Sequence, residues 1–202
     1  GHLKTTIQAH VHQDSYIFGH WWPSLNFGDA ISPLIISALS HKTALCASIY
    51  PKPPAMECFS VVGSVLSFHG PKLTIWGSGY ISENSRLFRD PRRICAVRGP
   101  RTRERLLRQG YECPSIYGDP AVLLFDRLAD LPRRRDFKVG LISHYLDTNH
   151  PVVRRFARDD RVLSIDVFWP AEAIARAVAR CETIVSSSLH GLILADCMGV
   201  PN

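Results

Sequence analysis

Apolar residues along this chain fall into two rhythms, short β-branched or aromatic runs and longer stretches with helical spacing. Residues 16–22, 43–49, 58–62, 73–76, 93–97, 115–117, 138–142, 162–166 and 183–186 have the composition and turn-residue borders of strands. Helical spacing follows several of them. Ser32-Pro33 supplies an N-cap and a first-turn proline ahead of Leu34, Ile35, Ile36, Ala38 and Leu39. A second helix opens at Pro100 and closes at Gly110, which is expected at C′. Residues 151–158 read as a short basic helix and residues 170–181 as one with an apolar stripe at Ile174, Ala177, Val178 and Cys181. The last helical pattern runs through Leu192, Ile193, Leu194, Ala195 and Met198 to Gly199.

Strands alternating with helices predict an α/β fold with parallel sheets. Residues 128–136 turn charged and carry Pro132 and three arginines, as an interdomain linker does. The chain therefore divides into a tail over residues 1–15, a Rossmann-like domain over 16–130, and a second, partial Rossmann-like domain over 137–202. Gly1-His2 resembles a cloning remnant. The second unit has three strand candidates and stops directly after a helix, so it reads as truncated.

At 202 residues the chain is long enough for either unit to bury a core, and its 46% hydrophobic and 21% charged residues are the balance of an ordinary globular protein. No apolar run approaches the roughly 18–20 residues of a membrane helix, and residues 1–15 lack the apolar core of a secretory signal. Six widely spaced cysteines without a Cys-x-x-Cys pair fit reduced thiols in a cytoplasmic protein. His10 and His12 form the one sequence-local metal candidate, and no metal site is expected.

The net charge of +6 comes from an arginine excess that begins at Arg86. It suits phosphates, acidic glycans or an anionic membrane face. No nucleic-acid-binding module accompanies it, and nucleic acid is not an expected partner. Most of these arginines are expected on a solvated face.

Candidate chemistry gathers at strand ends. In a parallel sheet ligands collect at the carboxyl edge, where glycine lets backbone N–H groups face them. Asn26, Gly28 and Asp29 follow the first strand, Gly77-Ser78-Gly79 a later one, Arg98 another, and Asp119 the turn after Tyr117. In residues 183–201 a strand hands over to a helix at Ser187-Ser188-Leu189-His190-Gly191, where free helix N–H groups, hydroxyls and an imidazole can build an anion pocket. Each site also has a plainer explanation. Asn26 and Asp119 can be turn or cap residues, and His190 a packed histidine with a backbone partner.

Five motifs in order narrow the choice. Asn26-Phe27-Gly28-Asp29, Trp76-Gly77-Ser78-Gly79, Ala96-Val97-Arg98-Gly99-Pro100, Tyr117-Gly118-Asp119-Pro120-Ala121 and Ser187-Ser188-Leu189-His190-Gly191 together resemble the polysaccharide pyruvyltransferase family, most of all the exopolysaccharide ketal-pyruvyltransferases of the xanthan and succinoglycan type. The resemblance spans about residues 16–201. It implies a glycosyltransferase-B-like fold with the site in the cleft between the halves. It also implies transfer of pyruvyl from phosphoenolpyruvate to two hydroxyls of one sugar, giving a ketal and phosphate. Phosphoenolpyruvate is then a co-substrate and no cofactor is needed. The acceptor is an oligosaccharide, typically lipid-linked, at the cytoplasmic membrane face. Ser188 stands where many members carry arginine.

Within that reading, His190 and His144 are the candidates for proton transfer and Asp29 for a base on the acceptor hydroxyl. Arg98, with its planar fork, is assigned the donor's phosphate or carboxylate. Ser187 and Ser188, with nearby N–H groups, are placed on the remaining donor oxygens, and Asn26 and Asp29 on the acceptor sugar. Gly28, Gly77, Ser78, Gly79, Asp119 and Gly191 complete the substrate-binding set. A nucleotide-sugar glycosyltransferase on the same architecture is the alternative enzyme, and a non-catalytic glycan- or phosphate-binding module the alternative of another class.

Overall fold

The computed structural model describes residues 1–125 and 131–202, so part of the expected linker, residues 128–130, lies outside the described residues. The chain forms two compact units, Gly1–Ser24 with Asp29–Pro120, and Leu25–Gly28 with Ala121–Asn202. Among the described residues no helix is long and apolar enough to cross a membrane.

The first unit opens with helix α1, His2–Val11, where a tail was expected. Those residues contain neither glycine nor proline to stop a helix, and tertiary contact secures them: Ala9 is fully buried and the His2 ring lies 5.2 Å from that of Tyr50. The strands β1 (Tyr16–Gly19), β2 (Thr43–Cys46), β3 (Cys58–Ser60), β4 (Thr74–Trp76) and β5 (Arg93–Ala96) form one parallel sheet in the order β2-β1-β3-β4-β5. The order reverses between β1 and β3, the kind of switch point where doubly wound sheets bind ligands. Phe18, Leu45, Cys58, Leu66, Ile75, Val97 and Leu106 make its core. Burial pushes the Cys58 thiol up to about 12, which keeps it inert.

Helix α2 (Phe27–Ser40) links β1 to β2, and α3 (Pro100–Arg108) follows β5. The alternation of strands and helices lapses between β2 and β5. Pro51, Pro53 and Pro54, then Gly70 and Pro71, then Gly77, Gly79 and Pro91 leave those three crossovers as irregular loops. Gly110 closes α3 with φ +87°, as its sequence position predicts.

Two boundaries differ from the sequence reading. Helix α2 starts at Phe27 and keeps Pro33 inside it, because Asn26 already caps the helix, its Oδ1 accepting the Gly28 N–H at 3.1 Å. Residues 115–117 contribute only a single bridge, between Val97 and Tyr117.

The second unit contains α4 (Ala121–Phe125), β6 (Phe137–Ile142), α5 (Pro151–Phe156), β7 (Val162–Ser164), α6 (Ala171–Val178), β8 (Cys181–Ser186) and α7 (Leu189–Cys197). Its three strands are parallel in the order β7-β6-β8, the same central-strand-first winding as β2-β1-β3 in the first unit. Ile142, Ile165, Ile174, Val178, Ile184 and Leu194 are buried. Phe27 stacks on Phe125 at 5.3 Å and donates its N–H to the Val167 carbonyl at 2.7 Å. Full burial of each ring contributes roughly 1.5–3 kcal/mol. Arg133, expected on a solvated face, instead donates to the Gly199 carbonyl at 2.8 Å just past the end of α7, where the helix dipole favours a cation.

Candidate functional site

In the first unit, Arg98 follows β5 and is half-buried. Its Nη2 donates to the Tyr80 carbonyl at 3.2 Å. Burial lowers the Arg98 pKa and the nearby Asp119 carboxylate opposes that loss, so Asp119 supports the guanidinium's charge. Beneath it lies Gly79: a Cβ there would stand 3.0 Å from the Arg98 Nη2 and 2.9 Å from the Thr102 Oγ1. Arg98 faces a cavity of about 700 Å³ beside the start of α3, whose lining also includes Tyr80, Ser82, Arg101, Thr102 and Arg105. No side chain caps α3, and Arg101 has no ion-pair partner among the described residues. An anion entering this cavity meets the Arg98 and Arg101 guanidiniums and the start of α3, with the Glu83 and Glu104 carboxylates also in the lining.

The glycine loop serves Arg98 in a way the sequence did not suggest. The Gly77 N–H donates to the Ala96 carbonyl at 3.0 Å and the Gly79 N–H to the Gly63 carbonyl at 2.9 Å, so neither faces a ligand. Ser78 is fully buried with its hydroxyl 2.6 Å from that of Ser60. These residues are small so that the loop can pack. Gly77 has φ +108°, and a Cβ there would come 2.3 Å from the Pro120 ring. Asp29 stands near the switch point. Its Oδ2 accepts the Ser24 hydroxyl at 2.8 Å, and its Oδ1 is 3.8 Å from where a Gly63 Cβ would sit, in the turn after β3.

In the second unit, β8 delivers residues 186–188 to the start of α7. Ser186, which sequence reasoning passed over, organises this turn. Its Oγ lies 2.9 Å from both the amide nitrogen and the carbonyl oxygen of Ser188 and 2.8 Å from the Ile142 carbonyl. Gly191 permits that contact, since a Cβ there would be 2.7 Å from the Ser186 Oγ. Ser188 is the N-cap residue but gives no side-chain hydrogen bond to the helix. His190, in that first turn, is 8% exposed and its ring lies over Gly28, where a Cβ would come 2.3 Å from Nδ1. Asn26, by capping α2, fixes the backbone on which Gly28 sits.

Ser187 turns to the loop after β6. Its hydroxyl accepts the His144 N–H at 2.8 Å and donates to Asp147 at 2.6 Å. The His144 Nδ1 accepts the Leu146 N–H at 3.3 Å, and the ring packs on Tyr145 with centroids 4.2 Å apart. The structure thus gathers Asn26, Gly28, Ser188, His190 and Gly191 in one cluster, Ser187 with His144 in another, and Gly77, Ser78, Gly79, Arg98 and Asp119 in the first unit. Ser186, Tyr80 and Thr102 hold these groups in place. Ser186, within the serine run, and Thr102, close after the Arg98-Gly99-Pro100 motif, had a sequence signal, and Tyr80 had none.

The model of the polysaccharide pyruvyl transferase family matches residues 57–202. An uncharacterized protein of Acanthamoeba polyphaga mimivirus, L143, is 28% identical over 205 residues, covering 96% of this chain and 69% of the relative. No solved structure gives a significant match. The family match takes in β3, β4 and β5 of the first sheet, all of the second, and the turns that carry Arg98, Asp119 and His190, and on it the chain belongs to the polysaccharide pyruvyl transferase family.

Proposed function

We propose that this chain transfers pyruvyl from phosphoenolpyruvate to two hydroxyls of one sugar in an exopolysaccharide repeat, lipid-linked in its working form. The observation that carries the reading is His190, buried in the first turn of α7 over Gly28, with helix amides beside it. An imidazole exchanges protons near neutrality, and the first step needs a proton donor at carbon.

His190 protonates C3 of phosphoenolpyruvate while the first sugar hydroxyl adds to C2. The C2–O bond to phosphate then breaks, phosphate leaving with the bonding pair, and the second hydroxyl closes the ketal on C2. One hydroxyl proton replaces the proton given to C3 and the other goes to phosphate or water. Arg98 is assigned an anionic group, because its planar guanidinium is fixed by the Tyr80 carbonyl and supported by Asp119. Asp29 is the base for an acceptor hydroxyl, and His144 the second imidazole. The hydroxyls of Ser187 and Ser78, already bonded within the protein, act by holding loops rather than by gripping substrate.

The test is phosphate release from phosphoenolpyruvate in the presence of a lipid-linked oligosaccharide. His190→Ala is expected to lose turnover while its circular dichroism stays native. Near-normal product formation would remove His190 from the chemistry.

A further inference from the structure

Around the serine turn, the second unit exposes aromatic rings that its core does not use. Tyr145 follows β6 and is 46% exposed; Phe168 follows β7 and is 50% exposed. Their strands are neighbours in the sheet, and the ring centroids lie 6.4 Å apart at 52°. The His144 ring extends the row, 4.2 Å from Tyr145. This row sits at the carboxyl ends of parallel strands, the edge at which such sheets bind ligands. Rings in a core would be covered, whereas these present faces to solvent beside polar groups.

The polar groups restrict what fits. Asp147 accepts the Ser187 hydroxyl through Oδ2, and Asp166 accepts the Phe168 N–H through Oδ1 at 2.9 Å. Each carboxylate has a second oxygen to offer as an acceptor. Two carboxylates flanking the rings repel a phosphate or an anionic lipid headgroup. They suit a neutral ligand that carries hydroxyl donors around an apolar face. A pyranose has that form: one face of C–H groups to lie on an aromatic ring, and equatorial hydroxyls to donate sideways.

We propose that Tyr145 and Phe168, with Asp147 and Asp166, form a subsite that holds a neutral pyranose ring of the acceptor glycan. The subsite deepens the pyruvyltransferase reading and rests on it for the word acceptor, though sugar binding itself does not require that chemistry. Ser187 then links the two functions, since the same hydroxyl that ties down Asp147 also orders the turn before His190.

Isothermal titration of the whole chain with cellotetraose and with β-1,4-galactotetraose tests this, with phosphoenolpyruvate titrated separately. Saturable binding of at least one tetrasaccharide is expected. Tyr145→Ala and Phe168→Ala should each weaken it about tenfold, Tyr145→Phe should leave it near the original value, and phosphoenolpyruvate affinity should not move. Thermal melts of each variant check the fold. Absence of sugar binding, or binding unchanged in both alanine variants, overturns the subsite. So does a Tyr145→Ala or Phe168→Ala effect seen only on phosphatidylglycerol vesicles, which would mark a membrane contact. If phosphoenolpyruvate does not bind but the sugar does, the pyruvyl reading fails and the subsite stands.

Discussion

Gly28 offers the sharpest test of how the site is built. In Gly28→Ala a methyl would stand 2.3 Å from the His190 Nδ1, 2.8 Å from Cε1 and 3.2 Å from Cγ. Comfortable contacts between such atoms are about 3.5–4.0 Å, so the imidazole has to move by roughly 1 Å or more. It is nearly enclosed, at 8% exposure, and the α7 backbone beneath it is fixed by the Leu192 N–H to Ser188 carbonyl bond. Relief therefore comes from rotating the side chain off its preferred rotamer, at about 0.5–1.5 kcal/mol. Alanine in place of glycine in α2 returns up to about 1 kcal/mol of helix propensity. The two nearly cancel, so the unfolding midpoint in urea should shift little. Turnover should not be spared, because a displacement of about 1 Å in a reacting group costs on the order of a hundredfold. Initial rates of phosphoenolpyruvate-dependent phosphate release, measured beside urea denaturation of the same sample, read both quantities. A folded variant with native turnover would refute the reasoning, as would a rate that falls only in proportion to lost folded protein.

Two other perturbations probe the first unit. Arg98→Ala should weaken phosphoenolpyruvate binding by about tenfold to a hundredfold, the loss of a charge-assisted bidentate contact, and calorimetry showing unchanged affinity would make Arg98 structural. His20 is 2% exposed, neither ring nitrogen has a hydrogen-bond partner among the described residues, and burial together with His69 lowers its pKa. The unfolded chain thus takes up its proton first. Stability is fully present above about pH 6.5 and is lost as pH falls from there toward the folded value, by up to about 1.4 kcal/mol per unit. His20→Phe, similar in ring size, should flatten the change in unfolding midpoint between about pH 7.5 and about pH 5.5, and an equal slope in both proteins would assign the acid sensitivity elsewhere.

Local pattern was enough to determine the strands other than residues 115–117, the Gly110 helix stop, the parallel α/β class and the placing of Gly28, Arg98 and His190 at strand or helix ends. Each of these is set within a few residues by side-chain alternation, helical spacing or turn chemistry. The start of α2 was not, because Asn26 and Ser32-Pro33 are both valid helix openings in sequence. Burial of Phe27 against Phe125 and its bond to the Val167 carbonyl chose between them. The glycines and serines of the site were legible as small and polar, but their work was not. Ser78 is bound to Ser60, eighteen positions away, and Ser187 to Asp147, forty away. Gly28 is required by a ring that arrives from α7. Whether a hydroxyl faces substrate or a distant partner, and whether a glycine frees an amide or makes room for a side chain, depends on which strands lie side by side. Only the folded sheet decides that, since hydrogen bonds and van der Waals contacts act over a few ångströms of space without regard to separation along the chain.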